Sequence, residues 1–298
     1  RGWRGRYGSW TPMWVAASPI VFASGLISWE LLPIALTAAD PDFAFEHAQR
    51  CVQNTGDEVD FSVAADHHII FGIANAANHN LAGALAAFDQ ADALAASGRD
   101  VWMRLHLLNN RAYAHFTAGE PGTALDVVDD MVKVADAENL DLTAGMLDTQ
   151  GRVLLATGLA EAAMRVTLPV ARTEPGPGGE NAADIAACRL TVAQAQMTLG
   201  MTEGAFTTLD QCEELAARLN LAKMRANVAG VRATMYAGQE RWREAYTEHV
   251  RYHELALAVS TRLRDGRSAL PESKQDRPAN RSLSQVAVSH DGLTGLPN

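Results

Sequence analysis

The sequence predicts an all-α fold: a right-handed α-solenoid of about six helix pairs with a period of about 40 residues. One observation is the composition, 48% hydrophobic but only 6% aromatic over 298 residues. Because Ala is abundant and loses no side-chain entropy in a helix, this balance favours helices. Another is that small residues recur at intervals of 39 to 42 residues. A fixed period of this length is typical of stacked helical repeats.

Two series of small residues define the repeat. The series on the second helix of each pair is Ala44, Ala84, Ala124, Ala163, Ala205 and Ala245. The series on the first helix lies twelve residues earlier, at Leu32, Gly72, Ala112, Gly151, Ala193 and Ala233. Small residues at a fixed offset let two antiparallel helices approach closely, so one series is expected on each partner. Leu32 marks the first repeat, about residues 20–56, as degenerate or as a cap.

Each second helix also carries a predicted core face. Four residues after its small residue come Ala48, Phe88, Val128, Thr167, Leu209 and His249, and three further on come Cys51, Ala91, Met131, Val170, Cys212 and Tyr252. The spacing i, i+4, i+7 is one face of a helix. Thr167 and His249 are its least apolar members. Turn sequences at 118–121 and 200–203 separate the helices, and the Pro- and Gly-rich stretch 175–179 predicts a flexible elbow between the fourth and fifth repeats.

This pattern resembles the tetratricopeptide repeat (TPR). The shared features are the small residue on the first helix, the turn after it and the Ala-x-x-x-large spacing on the second helix. The usual TPR unit has 34 residues, and the unit here is about six residues longer, similar to the extended repeats of bacterial regulators. The resemblance implies a concave face lined by first helices that binds a peptide, a partner protein or a small ligand. It implies no covalent chemistry.

Composition excludes some functions and limits others. The formal charge of −10 argues against a nucleic-acid surface, which needs a basic patch. Three cysteines without a CxxC pair predict a reducing, cytoplasmic location. The uncharged run 13–29 is slightly shorter than the roughly 20 residues that span a bilayer, and a buried first helix is favoured over a membrane helix. Because the chain begins with Arg1 rather than Met, we expect its N-terminus to be a cut.

Polar residues on the first helix of the third repeat are the candidate groove site: Arg104, Asn109, Asn110 and Arg111. They would clamp an acidic group or a peptide carboxylate, although a solvated helix face is the favoured interpretation. His249 and His253 have a spacing that suits metal ligands, but a core position for His249 argues against a metal, and no metal site is predicted. No Gly-rich phosphate loop, nucleophile elbow or pair of catalytic carboxylates is evident, so no catalytic residue is predicted.

The C-terminal residues carry a second resemblance. Asp291, Leu293, Thr294, Gly295, Leu296 and Asn298 match the opening Asp-x-Leu-Thr-Gly-Leu-x-Asn of GGDEF domains, the diguanylate cyclase family. The resemblance covers eight residues and implies a structural junction, not an active site. For the missing domain it implies GTP and Mg²⁺ as substrate and cofactor, cyclic di-GMP as product and a homodimer as the active form. This fragment itself is predicted to need no cofactor.

The predicted organisation is an N-terminal segment 1–19, a helical-repeat domain 20–263, a linker 264–282, and an entry helix with the truncated start of a GGDEF domain at 283–298. The favoured function is the sensory and protein-interaction region of a diguanylate cyclase. One alternative is a non-catalytic scaffold that binds a partner protein through its repeats. The other is a helical-repeat regulator of transcription, for which no DNA-binding surface is evident.

Overall fold

The structure is a computed structural model that describes residues 41–56, 59–95 and 100–268. These residues form eleven α-helices and no strand. The helices are α1 (Pro41–Gln53), α2 (Phe61–Ala77), α3 (Leu81–Ala95), α4 (Val101–Thr117), α5 (Pro121–Ala137), α6 (Ala144–Ala156), α7 (Ala160–Ala171), α8 (Ala182–Thr198), α9 (Thr202–Arg218), α10 (Ala222–Gly238) and α11 (Trp242–Ser268). The predicted all-α fold is confirmed.

The helices pack in the order of the chain, as expected of a repeat array. We call α2, α4, α6, α8 and α10 the A helices, and the odd-numbered helices the B helices. From α1 to α10, each helix packs on the next. Each A helix also packs on the following A helix. Repeats that contact mainly their neighbours in sequence define an α-solenoid.

The small-residue series lie where an A helix meets its own B helix. A Cβ atom added at Gly72 would lie 2.3 Å from Cε1 of Phe88, and one added at Gly151 would lie 2.4 Å from Cγ2 of Thr167. Both distances are impossible for real atoms, so glycine is required at these positions. Thr167 is fully buried and its hydroxyl donates to the Ala163 carbonyl at 2.8 Å. For these two pairs the predicted close approach of the helices is confirmed.

One buried arginine holds the residues that come directly before the stretch 175–179, which predicted an elbow. Arg189 of α8 is only 7% exposed. Its Nε donates to the carbonyl of Ala171 at 2.8 Å, its Nη2 to the carbonyl of Thr173 at 3.1 Å, and its Nη1 to the carbonyl of Gln211 at 3.3 Å. Glu174 completes the set by accepting from Nη2 at 3.2 Å. The guanidinium therefore joins the end of α7 to both α8 and α9.

The last helix departs from the predicted core pattern. Ala245 is 9% exposed, as expected, but His249 is exposed. The prediction that His249 occupies a core position is therefore wrong. The equivalent residue of the preceding repeat, Leu209, is fully buried because it packs in one cluster with Val228 and Met235 of α10. No A helix follows α11 within the described residues, so His249 has no such cover.

Several predictions fall on residues outside the described ranges: the run 13–29, Leu32, most of the linker and residues 283–298. The described repeats up to residue 261 belong to one compact unit. The predicted domain boundaries remain predictions. Among the described helices, none combines the length and the apolar character that crossing a membrane requires.

Candidate functional site

The four predicted groove residues do not share one face of α4. Arg111 donates from Nη2 to Asp89 of α3 at 2.8 Å. Asn110 donates to the carbonyl of His106 in its own helix at 2.9 Å, and Arg104 is exposed. The Oδ1 atom of Asn109 is buried and accepts no hydrogen bond. With about 100° per residue, Asn109 lies on the opposite side of the helix from Arg104 and Arg111.

The ion pair of Arg111 recurs in the last repeat, which indicates a structural role. Arg232 of α10 pairs with Asp210 of α9, and the two residues are separated by 22 positions, as are Arg111 and Asp89. In both cases an A helix is joined to the B helix before it. The arginine side chains are 11% and 21% exposed respectively. Arg111 therefore links repeats.

The side of α4 that carries Asn109 continues onto the next A helices as a polar surface. We call it the A-face cluster and define it by Asn109, Tyr113, Asp148, Arg152 and Lys223. The guanidinium carbon of Arg152 lies 4.9 Å from the ring centre of Phe116 and 5.6 Å from that of Tyr113. Such contacts between a cation and an aromatic ring contribute about 0.5–2 kcal/mol. They hold the charge of Arg152 in place while its side chain stays 39% exposed.

Beneath Arg152 lies a buried carboxyl group. Asp148 is 9% exposed, its Oδ1 accepts from the hydroxyl of Thr191 at 2.7 Å, and its Oδ2 lies 4.0 Å from Nη1 of Arg152. Burial raises the pKa of Asp148, although Arg152 and the Thr191 hydroxyl act in the other direction. Burial, and then the charge of Asp148, raise the pKa of Asp184 on α8. Asp148 is therefore held between the Thr191 hydroxyl and the guanidinium of Arg152.

A second cation stands near Arg152. The pKa of Lys223 on α10 is lowered by desolvation and then by the positive charge of Arg152. The residue as a whole is exposed on the surface. Two like charges kept close together on one surface attract an anionic group.

The opposite end of the A-helix row is acidic. Burial, with a further contribution from the charge of Asp100, raises the pKa of Asp66 on α2 to about 7. Asp66 holds the position of α2 that corresponds to His106 of α4, forty residues later. The row of A helices thus has an acidic group at its N-terminal end and two cations towards its C-terminal end.

Sequence reasoning missed Asp148, Arg152 and Lys223. Asp148 and Thr191 meet across 43 positions, a distance over which no local pattern acts. One signal was present, because aligning the two small-residue series places Asp148 at the position of Asn109 and Arg152 at that of Tyr113. The side-chain amide of Asn109 and the carboxyl of Asp148 therefore occupy equivalent places on successive A helices.

Two cavities are lined in part by groups that are engaged in ion pairs. One, of about 350 Å³, lies among α9, α10 and α11 and is lined by Phe206, Asp210, Arg232, Tyr236, Arg241 and Glu248. The other, of about 300 Å³, surrounds Arg189 and Arg218. Arg232 and Arg189 are engaged in the contacts described above. Both cavities follow from ion pairs between helices.

The described residues contain no group of three or more His, Cys, Asp or Glu side chains that could hold a metal ion. The Nε2 atoms of His249 and His253 lie 3.1 Å apart on α11. All three cysteines are buried and unpaired. Burial raises the pKa of Cys51 to about 11 and that of Cys212 to about 12. A neutral, buried thiol is neither a good nucleophile nor a good metal ligand.

Comparison with known proteins supports the fold and leaves the function open. No protein-family model and no curated protein matches the chain, so the GGDEF resemblance has no support beyond residues 291–298. The crystal structure of BtubC (BKLC) from P. vanneervenii matches with a TM-score of 0.50 and 13% identity, over 83% of this chain and 96% of that one.

Two crystal structures of a putative kinesin light chain from Podosopora anserina, with nearly identical TPR-like repeats, also match. Their TM-scores are 0.47 and 0.45, their identities 17% and 16%, and they cover 65% and 66% of this chain and 95% and 98% of their own. At these identities the likeness concerns the fold alone. The chain is an α-solenoid of TPR-like helix pairs.

Proposed function

We propose that this chain is a non-catalytic scaffold that binds a partner protein, and that the A-face cluster receives an acidic segment of that partner. The observation that carries the proposal is Arg152, whose guanidinium is held over two aromatic rings while its side chain stays 39% exposed, with Lys223 further along the row of A helices. An anionic segment that reaches both side chains would be attracted by two positive charges.

The geometry around Arg152 supports an extended ligand rather than a small one. Its guanidinium rests on the rings of Tyr113 and Phe116 from the preceding A helix, so its orientation is fixed before a ligand arrives. Pre-organised arginines bind carboxylates with two parallel hydrogen bonds. Lys223 lies on α10, two A helices further along. A ligand that reaches both cations must therefore cross α8, as a peptide segment does.

The test is a binding assay with a fluorescein-labelled peptide of alternating Glu and Gly residues, read by fluorescence anisotropy. Replacing Arg152 by Gln should weaken binding by about 10-fold or more, since a hydrogen bond to a charged group contributes about 1.5–3 kcal/mol. Lys223→Gln should have a smaller effect, because Lys is a flexible point charge. Binding should also weaken with added salt.

Arg104→Gln is the matched control, because it removes the same charge from the opposite side of α4. It should leave binding unchanged. If Arg104→Gln and Arg152→Gln weakened peptide binding equally, the effect would come from net charge alone, and the proposed site would be contradicted. A peptide of alternating Gln and Gly should not bind, and equal affinity for both peptides would contradict the acidic character of the ligand.

A second candidate function rests on a different observation, the match of residues 291–298 to the start of a GGDEF domain. We propose on that ground that the scaffold regulates a diguanylate cyclase, in which GTP and Mg²⁺ belong to the domain that follows and the homodimer is the active form. The test is the reading frame after Asn298, which should continue with Arg and contain Gly-Gly-Asp/Glu-Glu-Phe. If it does, the full-length protein should make cyclic di-GMP at a rate that changes when residues 1–263 are removed.

A further inference from the structure

The exposed side of the last helix carries an apolar stripe. Four of the large hydrophobic residues that are exposed in the described chain lie on α11: Trp242, Tyr246, Val250 and Leu257 are 65%, 70%, 37% and 67% exposed. His249 and His253 lie between them and are also exposed. With 100° per residue, all six fall within about 100° of the helix circumference. We call these six residues the terminal stripe.

The terminal stripe corresponds to a surface that is covered in the preceding repeat. Tyr246, His249 and Val250 stand forty residues after Phe206, Leu209 and Asp210 of α9. On α9 these positions face α10. The ring of Phe206 packs at a tilt against that of Tyr236 with ring centres 5.0 Å apart, Leu209 is buried against α10, and Asp210 pairs with Arg232. The stripe is therefore a stacking surface without a helix on it in the part of the chain that the structure describes.

As far as Ser268, the chain continues α11 where earlier repeats turn back into a new helix. After α9, Asn220 takes a left-handed conformation with φ of 55°, and the chain turns back into α10. The equivalent residue of α11, Ser260, lies inside the helix, which continues to Ser268. Because the turn is replaced by helix, the chain does not turn back within the residues that the structure describes.

The spacing within the stripe is symmetric. Its residue numbers are separated by 4, 3, 1, 3 and 4, so the stripe has the same pattern in both chain directions. Two copies of α11 that run antiparallel about a two-fold axis near residues 249 and 250 would place Trp242 opposite the second copy's Leu257. They would place Tyr246 opposite the second copy's His253. A two-fold interface requires such a self-complementary surface.

The charges beside the stripe fit the same arrangement. Arg243 and Glu254 are both exposed and lie on one flank of the stripe, within about 20° of each other on the helix. About the same two-fold axis, the Arg243 of each copy falls within about 3 Å, measured along the helix, of the Glu254 of the other. The contact would thus contain two opposite-charge pairs and no facing like charges on that flank.

From these observations we propose that the terminal stripe is a homodimer interface, in which α11 pairs antiparallel with α11 of a second copy. The stripe is about 22 Å long, from Trp242 to Leu257. A single helix face of that length buries less than the roughly 800 Å² per partner of a standard interface. The dimer is therefore expected to be of micromolar strength. This interface is separate from the A-face cluster, so the two proposals fail independently.

The experiment is sedimentation of residues 1–298 over a dilution series from about 200 µM to 1 µM, which should show a monomer–dimer equilibrium. Val250→Glu should weaken dimerisation at least 10-fold, since two carboxylates would meet at the two-fold axis. Val250 is on the surface, so the variant should keep the wild-type helical circular dichroism. Lys133→Glu is the matched control: it changes an exposed charge on α5 and should leave the dimer unchanged.

A charge exchange tests the antiparallel arrangement. Arg243→Glu alone and Glu254→Arg alone should each weaken the dimer several-fold, and the double variant should restore it. A monomer at every concentration, or a dimer that is insensitive to Val250→Glu, would overturn the proposal. A double variant that dimerises as weakly as the single variants would also overturn the proposal. Oxidation of Val250→Cys should also give a disulfide-linked dimer, and the three buried native cysteines should not compete.

Discussion

Helices α9 and α11 occupy the same place in successive repeats, and they differ in what lies against them. Leu209 of α9 is fully buried and His249 of α11 is exposed. Glu213 of α9 accepts hydrogen bonds from Arg225 of α10 at 3.1 Å and from Arg251 of α11. The equivalent residue of α11, His253, lies 3.1 Å from His249 of its own helix, measured between the two Nε2 atoms. Equivalent positions of two repeats can therefore differ in burial and in contacts. The burial of such a position depends on the next repeat.

The largest expected effect comes from truncating Leu209. Leu209→Ala should lower the free energy of unfolding by about 2–5 kcal/mol, because it opens a cavity in the cluster that joins α9 to α10. His249→Ala at the equivalent position of α11 should change it by less than about 0.5 kcal/mol. Urea unfolding followed by circular dichroism measures both, at a protein concentration low enough to keep the chain monomeric. Similar losses in the two variants would mean that α11 is covered in solution.

A smaller effect is expected from the ion pairs that attach α11. Glu213→Gln should cost about 1–2 kcal/mol, because two arginines lose a charged acceptor whose side chain is only 16% exposed. His253→Ala should again have an effect below about 0.5 kcal/mol. The same urea titration reports on both. If Glu213→Gln were neutral, the network would contribute no more than an exposed pair such as Lys133 with Asp130.

The third comparison concerns the reactivity of a thiol on α9 and of one introduced on α11, and it is expected to have the smallest effect on stability. Cys212 of α9 is fully buried and burial raises its pKa to about 12, so at pH 8 it is protonated and shielded. It should react with a disulfide reagent only after unfolding. A His249→Cys variant should gain one thiol that reacts in the native state. A wild-type protein whose thiols react quickly would show that the α9–α10 packing opens readily.

Sequence alone predicted the part of the fold that depends on contacts within one helix pair. Gly72 with Phe88 and Gly151 with Thr167 are such contacts, and a fixed offset is enough to find them. It predicted His249 wrongly, because the residue's exposure depends on whether another helix follows. It also grouped Arg104 and Arg111 with Asn109 by proximity in sequence, while the helix directs their side chains to different sides. The contact of Asp148 with Thr191 links two repeats, and no single repeat contains that information.

The buried guanidinium of Arg189 has a consequence for local opening. Repeat proteins depend on contacts between neighbouring repeats, and native-state hydrogen exchange shows that proteins open locally in contiguous cooperative units. Here the side chain of Arg189, which belongs to α8, donates hydrogen bonds to carbonyls at the end of α7 and in α9. We therefore expect amide protons of α7, α8 and α9 to exchange as one group, with a shared opening free energy across the stretch 175–179.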